Sequence, residues 1–211
     1  GVAMGITGTD VSKEASDMII EDDDFKTIVD AVEEGRSIYD NIRKFVNYLL
    51  SSNLAEILVI VVASILGMPL PLLAIQLLWI NLVTDGLPAL ALSVDPPRPN
   101  IMRMKPRRKR EPLITKELSF QMVIVGSLIA LGVLGLFWYG LRENVTKAQT
   151  IAFTALVVFE IVRLENIRKH YHLNLFSNKY LNLAIITSLI LQIIVLYTPL
   201  SQLFHTTPLS I

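Results

Sequence analysis

Residues 72–94 read "LLAIQLLWINLVTDGLPALALSV", and Asp85 is the only charge among them. The stretch is long enough to cross the hydrocarbon core of a bilayer, which takes ~20 residues of helix. A charged side chain at the centre of such a helix costs roughly 2.5–3.5 kcal/mol even on insertion scales, so it signals a function. Asn81 and Thr84 share the face of Asp85, because offsets of three and four return to one side of a helix. Gly86 and Pro88 follow at once. Pro88 has no amide hydrogen for the carbonyl of Thr84, so the helix is expected to loosen just after Asp85. Backbone carbonyls released at mid-membrane are tolerated where they line a site. The stretch reads as a membrane span built around polar oxygens.

Four more blocks surround it. Phe45–Leu66 is uncharged apart from Glu56, Leu118–Leu141 and Tyr180–Phe204 carry no charge, and Ala148–Leu164 is apolar but for Glu160 and Arg163. Hydrophobic residues make up 52% of the 211 and lie in these long blocks, which is the membrane pattern rather than the globular one. One such block is compatible with a soluble helical core; five predict a mainly α, polytopic transmembrane helix bundle. The connections "PPRPNIMRMKPRRKREP" (96–112) and "RLENIRKHYHLNLFSNK" (163–179) are basic, whereas "GMPLP" (67–71) and "RENVTK" (142–147) are nearly neutral. The positive-inside rule therefore puts residues 1–41 and the 95–117 loop in the cytoplasm and the C-terminus outside. A basic loop between two spans serves topology and anionic headgroups rather than nucleic acid. There is no cysteine and only three histidines, so disulfides, thiolate metal sites and a zinc cluster are excluded. Nothing in the first 24 residues resembles a cleavable signal, since they contain "EDDD" and no apolar run of the right length.

The first forty residues are of another kind. "GVAMGI" and "MIIEDDD" read as short strands, and "TGTDVSKEASD" offers Thr9, Asp10 or Ser12 as a helix cap. From Phe25 the helical spacing of Ile28, Val29, Val32, Ile38 and Ile42 begins, interrupted only by Gly35. A helix from Phe25 to Leu66 is about 60 Å long, a rod from a soluble unit to mid-bilayer. Two strands and one helix cannot close a core, so this unit reads as the end of a larger domain.

The polar residues inside the spans form a pattern. Asn53 and Glu56 share a face of the first span; Asn81, Thr84 and Asp85 share a face of the second; Glu160 lies in the fourth. An isolated Asn or Thr is also common glue between membrane helices, and Arg163, one turn from Glu160, is positioned to pair with it. Together the set offers three carboxylates and several neutral oxygens, the ligands that a hard cation such as Ca2+ takes six to eight of.

Three stretches carry a resemblance: "GVAMGITGTDVSKEASDMIIEDDDFKTIVDAVEEGRSIYDNIRKF" (1–45), "YLLSSNLAEI" (48–57) and "QLLWINLVTDGLPALALSVDPP" (76–97). They resemble the C-terminal half of a type II cation-transporting P-type ATPase, nearest to the sarcoplasmic-reticulum-like calcium pumps. The resemblance implies that residues 1–38 are a small cytoplasmic α/β remnant of a haloacid-dehalogenase-like phosphorylation domain with its stalk. Residues 39–211 would be the transmembrane domain, with helices five to nine of ten at about 42–66, 72–94, 118–141, 148–166 and 180–204. Asn53, Glu56, Asn81, Thr84, Asp85 and Glu160 match the family's ligands for the transported ion, with Asn81 and Asp85 shared with a second site completed by a helix outside this sequence. Sodium–potassium pumps differ in carrying an acid where Asn81 stands, and plasma-membrane calcium pumps lack the acid matching Glu56. Arg163 departs from the family pattern, which leaves one or two ions per cycle open. The phosphorylated Asp of the DKTGT motif and the Mg2+-binding TGDGVND segment are not in this sequence. The expected whole is thus an ATP- and Mg2+-dependent Ca2+ pump in the cell membrane of a microbe, whose partners are membrane lipid and the N-terminal half of the same pump. Alone, this chain is expected to be inactive on ATP. The competing expectations are the same architecture pumping Na+ or Mn2+, or a non-enzymatic channel or regulatory protein that kept these helices.

Overall fold

The computed structural model describes residues 1–107 and 112–209; Arg108, Lys109, Arg110 and Glu111 of the basic loop lie outside the described residues. At the N-terminus, strand β1 (Val2–Met4) pairs in parallel with β2 (Met18–Ile20) across helix α1 (Asp10–Glu14), in the register Val2 to Met18 and Met4 to Ile20. Thr9 is the residue that caps α1, its Oγ1 accepting from Ser12 N at 3.3 Å. Asp23 sits in the left-handed region (φ 52°), and its carboxylate accepts from the amides of Ile6 at 2.9 Å and Thr7 at 2.8 Å. It thereby ties the β1–α1 loop to the start of helix α2. The next residue, Asp24, caps α2 through Lys26 N at 2.9 Å.

Helix α2 runs unbroken over Phe25–Ile65, 41 residues, so the rod expected from the spacing is present and Gly35 does not interrupt it. Its inward stripe is Asp40, Asn41, Lys44, Asn47, Tyr48, Ser51, Ser52, Ala55, Glu56 and Val59, while Ile57, Val61 and Ile65 are exposed. A polar inside and an apolar outside invert the pattern of a water-soluble helix and suit a lipid surround. The helix stops at Gly67 (φ 66°), where the amide of Met68 reaches Ala63 O at 2.9 Å and that of Gly67 reaches Ser64 O at 3.1 Å. Only glycine takes that left-handed position without strain.

The second span is composite: α3 (Ala74–Trp79), a π-helical turn (Ile80–Thr84) and α4 (Gly86–Leu92). After a short 3-10 turn at Ile101–Arg103 come α5 (Lys116–Gly140), α6 (Val145–His170), α7 (Lys179–Tyr197) and α8 (Leu200–Phe204). Helix α2 packs mainly on α5, α5 on α6, and α4 on α7. Five helical segments are long and apolar enough to cross a membrane: α2, α3 to α4 taken together, α5, α6 and α7. The apolar block 180–204 is not one helix. Thr198 is extended (φ −114°, ψ 176°) and Pro199 follows, a pair that disfavours helix continuation. The chain therefore turns back, setting the Phe204 ring 5.1 Å from that of Trp79.

At the end of the bundle carrying the basic loops, charges are buried rather than splayed. Lys44 Nζ lies 2.6 Å from Asp95 Oδ2, Arg168 Nε lies 3.2 Å from Asp95 Oδ1, and Asn178 Nδ2 donates to Asp95 Oδ1 at 3.0 Å. Lys44, Asp95 and Arg168 are all essentially inaccessible. Nearby, the Arg36 guanidinium donates to Ile101 O at 2.9 Å and Met104 O at 3.1 Å, joining the loop after α4 to α2.

Candidate cation site

Glu56 of α2, Asp85 at the end of the π-helical turn and Glu160 of α6 each offer a carboxylate oxygen within 4.8 Å of the others. All three are buried, Asp85 and Glu160 to 1% exposure. Two full negative charges at such a separation repel by about 3 kcal/mol at an effective dielectric near 20, so three in one pocket stay together only where protons or a cation offset their charge.

The second span positions its part of the trio through a wide turn. The amide of Asp85 reaches back five residues to Ile80 O at 2.8 Å, and α4 restarts with Ala89 N on Asp85 O at 2.9 Å. The loosening expected just after Asp85 thus lies before it, over residues 80–84. Pro88 still explains it: with no donor for Thr84 O, the chain gains nothing by keeping the tight register there, and the extra residue is absorbed one turn earlier. Such π-helical turns recur at functional sites.

The neighbouring polar groups are arranged around the carboxylates. Asn81 Nδ2 donates to both Glu56 oxygens, at 3.0 and 2.9 Å, and to Leu77 O. Thr84 is buried and its Oγ1 donates back to Ile80 O at 3.1 Å, leaving the hydroxyl oxygen's lone pairs on the inner face of the turn. Asn53 is half-buried, one helical turn before Glu56, and none of the hydrogen bonds around the carboxylates reaches it. Both oxygens of Glu160, Asp85 Oδ2 and the hydroxyl of Ser52 are buried with no hydrogen-bond partner among the described residues. Unpaired buried oxygens are costly, and a cluster of them with no nitrogen or sulfur ligand fits a hard cation such as Ca2+.

The pairing of Arg163 with Glu160 is not formed. Arg163 NH2 donates to Asn47 Oδ1 at 2.9 Å and Nε to Ser51 Oγ at 3.3 Å, both on α2. The long side chain reaches toward the basic-loop end, as arginine stems do when their head seeks polar company. Glu160 keeps both oxygens for a ligand.

Tyr48 belongs to the site although sequence reading passed over it. Its hydroxyl donates to Asp85 Oδ1 at 2.7 Å. The signal was available in spacing: Tyr48, Ser52 and Glu56 recur every four residues on one face of α2.

The chain is similar to known proteins over its whole length. Residues 69–211 match the family described as cation transporting ATPase, C-terminus. The chain is 46% identical to a calcium-transporting ATPase of Bacillus subtilis (strain 168), with 100% of this chain and 24% of that protein covered. It is 41% identical to the calcium-transporting ATPase type 2C member 1 of Homo sapiens, again over 100% of this chain and 24% of the relative. With a calcium-transporting ATPase of Plasmodium falciparum the identity is 36%, over 100% of this chain and 21% of the relative. The chain thus spans about a quarter of the length of the curated relatives it matches.

Proposed function

We infer that this chain, which belongs to the cation-transporting ATPase family and is an integral membrane protein, is the ion-holding part of an ATP-driven Ca2+ pump. The observation that carries the reading is the trio Glu56, Asp85 and Glu160, three carboxylates from three different spans with an oxygen of each within 4.8 Å of the others, three of their six oxygens (Asp85 Oδ2 and both of Glu160) having no hydrogen-bond partner among the described residues. Ca2+ is the transported substrate. Glu56, Asp85 and Glu160 supply charge to offset its lost hydration, while Asn53, Asn81 and Thr84 supply neutral oxygens. Tyr48 holds the Asp85 carboxylate in place. Asp85, at the mouth of the π-helical turn, is the ligand shared between two ion positions. ATP and Mg2+ belong to the rest of the same pump, the partner of this chain, and no residue here is assigned to them. The names of the relatives support Ca2+ over Na+ or Mn2+, and the cell membrane of a microbe is the setting this reading assigns to it.

Helix α2 supplies the coupling path. Glu56 is 31 residues from Phe25 on one continuous helix, about 45 Å, and the β1–α1–β2 unit sits at its far end. An ion that draws the three spans together changes the seating of that rod, and the cytoplasmic unit follows.

The test is equilibrium Ca2+ binding and cation-dependent ATP turnover of the complete pump, screened across Ca2+, Mn2+, Na+ and K+. Glu56→Gln and Glu160→Gln should each weaken binding at one position, whereas Asp85→Asn should weaken both, by about a hundredfold or more because ligand charge sets affinity in oxygen sites. Turnover driven by another ion alone, or native Ca2+ affinity in Asp85→Asn, would overturn the reading.

A further inference from the structure

Where α2, α5 and α6 reach the end of the bundle carrying the basic loops, they leave a cavity of about 370 Å3 between them. Arg43, Arg98 and Arg163 line it against a single carboxylate, Glu117. Arg98 is neutralised from the side, its Nε 2.6 Å from Asp40. Arg43 and Arg163 form no ion pair among the described residues, and Arg43 Nε is buried without a hydrogen-bond partner. Arg163 itself is only 6% exposed, held in place by Asn47 and Ser51. Two guanidinium groups without a paired carboxylate, one of them held by α2, invite an anion into the recess, and phosphate is the anion whose geometry they match best.

The recess does not end at its polar wall. Val125, Arg163 and Asn166 also line a second hollow of about 240 Å3 between α5 and α6, completed by Leu128, Ile129, Phe159 and Val162. Leu128 and Val162 are exposed on the outer surface of these two spans, where acyl chains lie. A cationic chamber that passes, through shared residues, into an apolar groove on a lipid-facing surface has the shape and polarity of an amphiphile.

We propose that this composite hollow binds one anionic phospholipid, its phosphate on Arg43 and Arg163 and one acyl chain along the α5–α6 groove. Charge argues for an acidic lipid over a zwitterionic one, whose ammonium would face the same arginines. Topology argues the same way, since the positive-inside rule puts this end in the cytoplasmic leaflet, where acidic lipids and basic pockets between spans meet. The apolar groove distinguishes a lipid from free phosphate, which has no use for it.

The intact protein carrying this chain, in detergent, is titrated with phosphatidylglycerol, with phosphatidylcholine of the same chains and with inorganic phosphate, and bound lipid is counted by native mass spectrometry. One phosphatidylglycerol should be retained per protein, about tenfold more tightly than phosphatidylcholine, as two arginine contacts near a membrane surface imply. That preference should collapse toward equality in Arg163→Gln and in Arg43→Gln, and Arg43, being only half-buried, gives a variant that folds if the other does not. Val162→Trp, which fills the groove and leaves the arginines alone, should reduce retention of both lipids. Equal retention of the two lipids, or a preference unchanged in the arginine variants, would sink the proposal. So would displacement by inorganic phosphate combined with a silent Val162→Trp, which assigns the chamber to free phosphate, or a protein helix found over the groove in the intact pump.

Discussion

The Tyr48 hydroxyl, 2.7 Å from Asp85 Oδ1, is among the described residues the one side-chain donor hydrogen-bonded to the second span's carboxylate. On the function proposed above it keeps part of that charge satisfied in the ion-free protein, and a bound cation would take over most of the task. Tyr48→Phe should therefore destabilise the ion-free protein by about 1–3 kcal/mol, the usual cost of stranding a buried acceptor, and by much less in saturating Ca2+. Thermal unfolding with and without Ca2+ reads the difference, and an equal loss in both conditions would make Tyr48 merely a packing residue. Arg163 gives the complementary case. Because its donors go to Asn47 and Ser51 rather than Glu160, Arg163→Ala should leave the number of bound ions unchanged while lowering stability through the two stranded oxygens on α2. Counting bound calcium-45 per protein checks it; a gain of one ion would show that the arginine had been neutralising Glu160 after all. At this scale the sequence was informative about which residue types gather and poor about where long side chains point. The i, i+3 spacing of Glu160 and Arg163 is compatible with pairing, yet the lean of the arginine is decided by α2, a helix more than a hundred residues away in the chain.

Among the elements, the second span shows what local chemistry can and cannot tell. Gly86 and Pro88 announce a weak point in the helix, and one is there, but the strain is relieved one turn upstream as the π-helical turn Ile80–Thr84. Which turn widens depends on packing against α2 and α7, which no local pattern records. Pro88→Ala supplies an amide for Thr84 O and should favour the narrow register, rotating Asn81 and Thr84 away from the carboxylates. The expected result is intact folding with Ca2+ release slowed or affinity lowered about tenfold, as for the loss of one good ligand interaction; stopped-flow release from the purified pump measures it, and native kinetics would mean that the proline has no part in the turn. The last span makes the same point, since unbroken hydrophobicity to Phe204 hid the stop that Thr198 and Pro199 impose. Short elements at the other end were largely legible: both strands and the start of α2 follow from local residues, whereas the cap of α1 was narrowed to Thr9, Asp10 or Ser12 and only the structure selects Thr9. The junction between them has a pH signature. The amide of Ile6 foremost, with Thr7 adding its amide and hydroxyl, holds the Asp23 carboxyl below its ordinary range. A depressed folded value means that the tie is fully present above the unfolded pKa, near 4, and is lost as pH falls through the lower folded one. Amide shifts of Ile6 and Thr7 should thus move together only at acidic pH, below the ordinary aspartate range. In Asp23→Asn that transition should vanish; if it persists, another group is titrating.

For the whole molecule, spans, their number and their polar lining were readable because bilayer length and the cost of burying charge are strong, local rules. The mutual arrangement was not, because it is settled by contacts such as the one Asp95 makes with Lys44, Arg168 and Asn178. That cluster also carries a consequence for how the protein is made. Lys44 is made well before Asp95, so its ion pair with that acid forms only once α3 and α4 have followed α2. The two spans can therefore be matched by this pair before α5 exists. Arg168, arriving two spans later, then locks onto an acid already in place, so that a single aspartate records whether both halves of the bundle have come together. Asp95→Asn would leave Lys44 without its ion-pair partner and Arg168 with Glu165 alone, and losing one partner of a buried pair costs about 3–5 kcal/mol. The variant should insert but accumulate as a protease-sensitive, partly assembled form, seen as a sharp fall in the monodisperse fraction on size-exclusion chromatography. Lys44→Met with Asp95 intact should be milder, because Arg168 still answers the acid. The Asp95 cluster and the Glu56–Asp85–Glu160 trio thus both wait for α6, which carries Glu160 and Arg168 together, so one late helix completes the two buried charge clusters of the bundle.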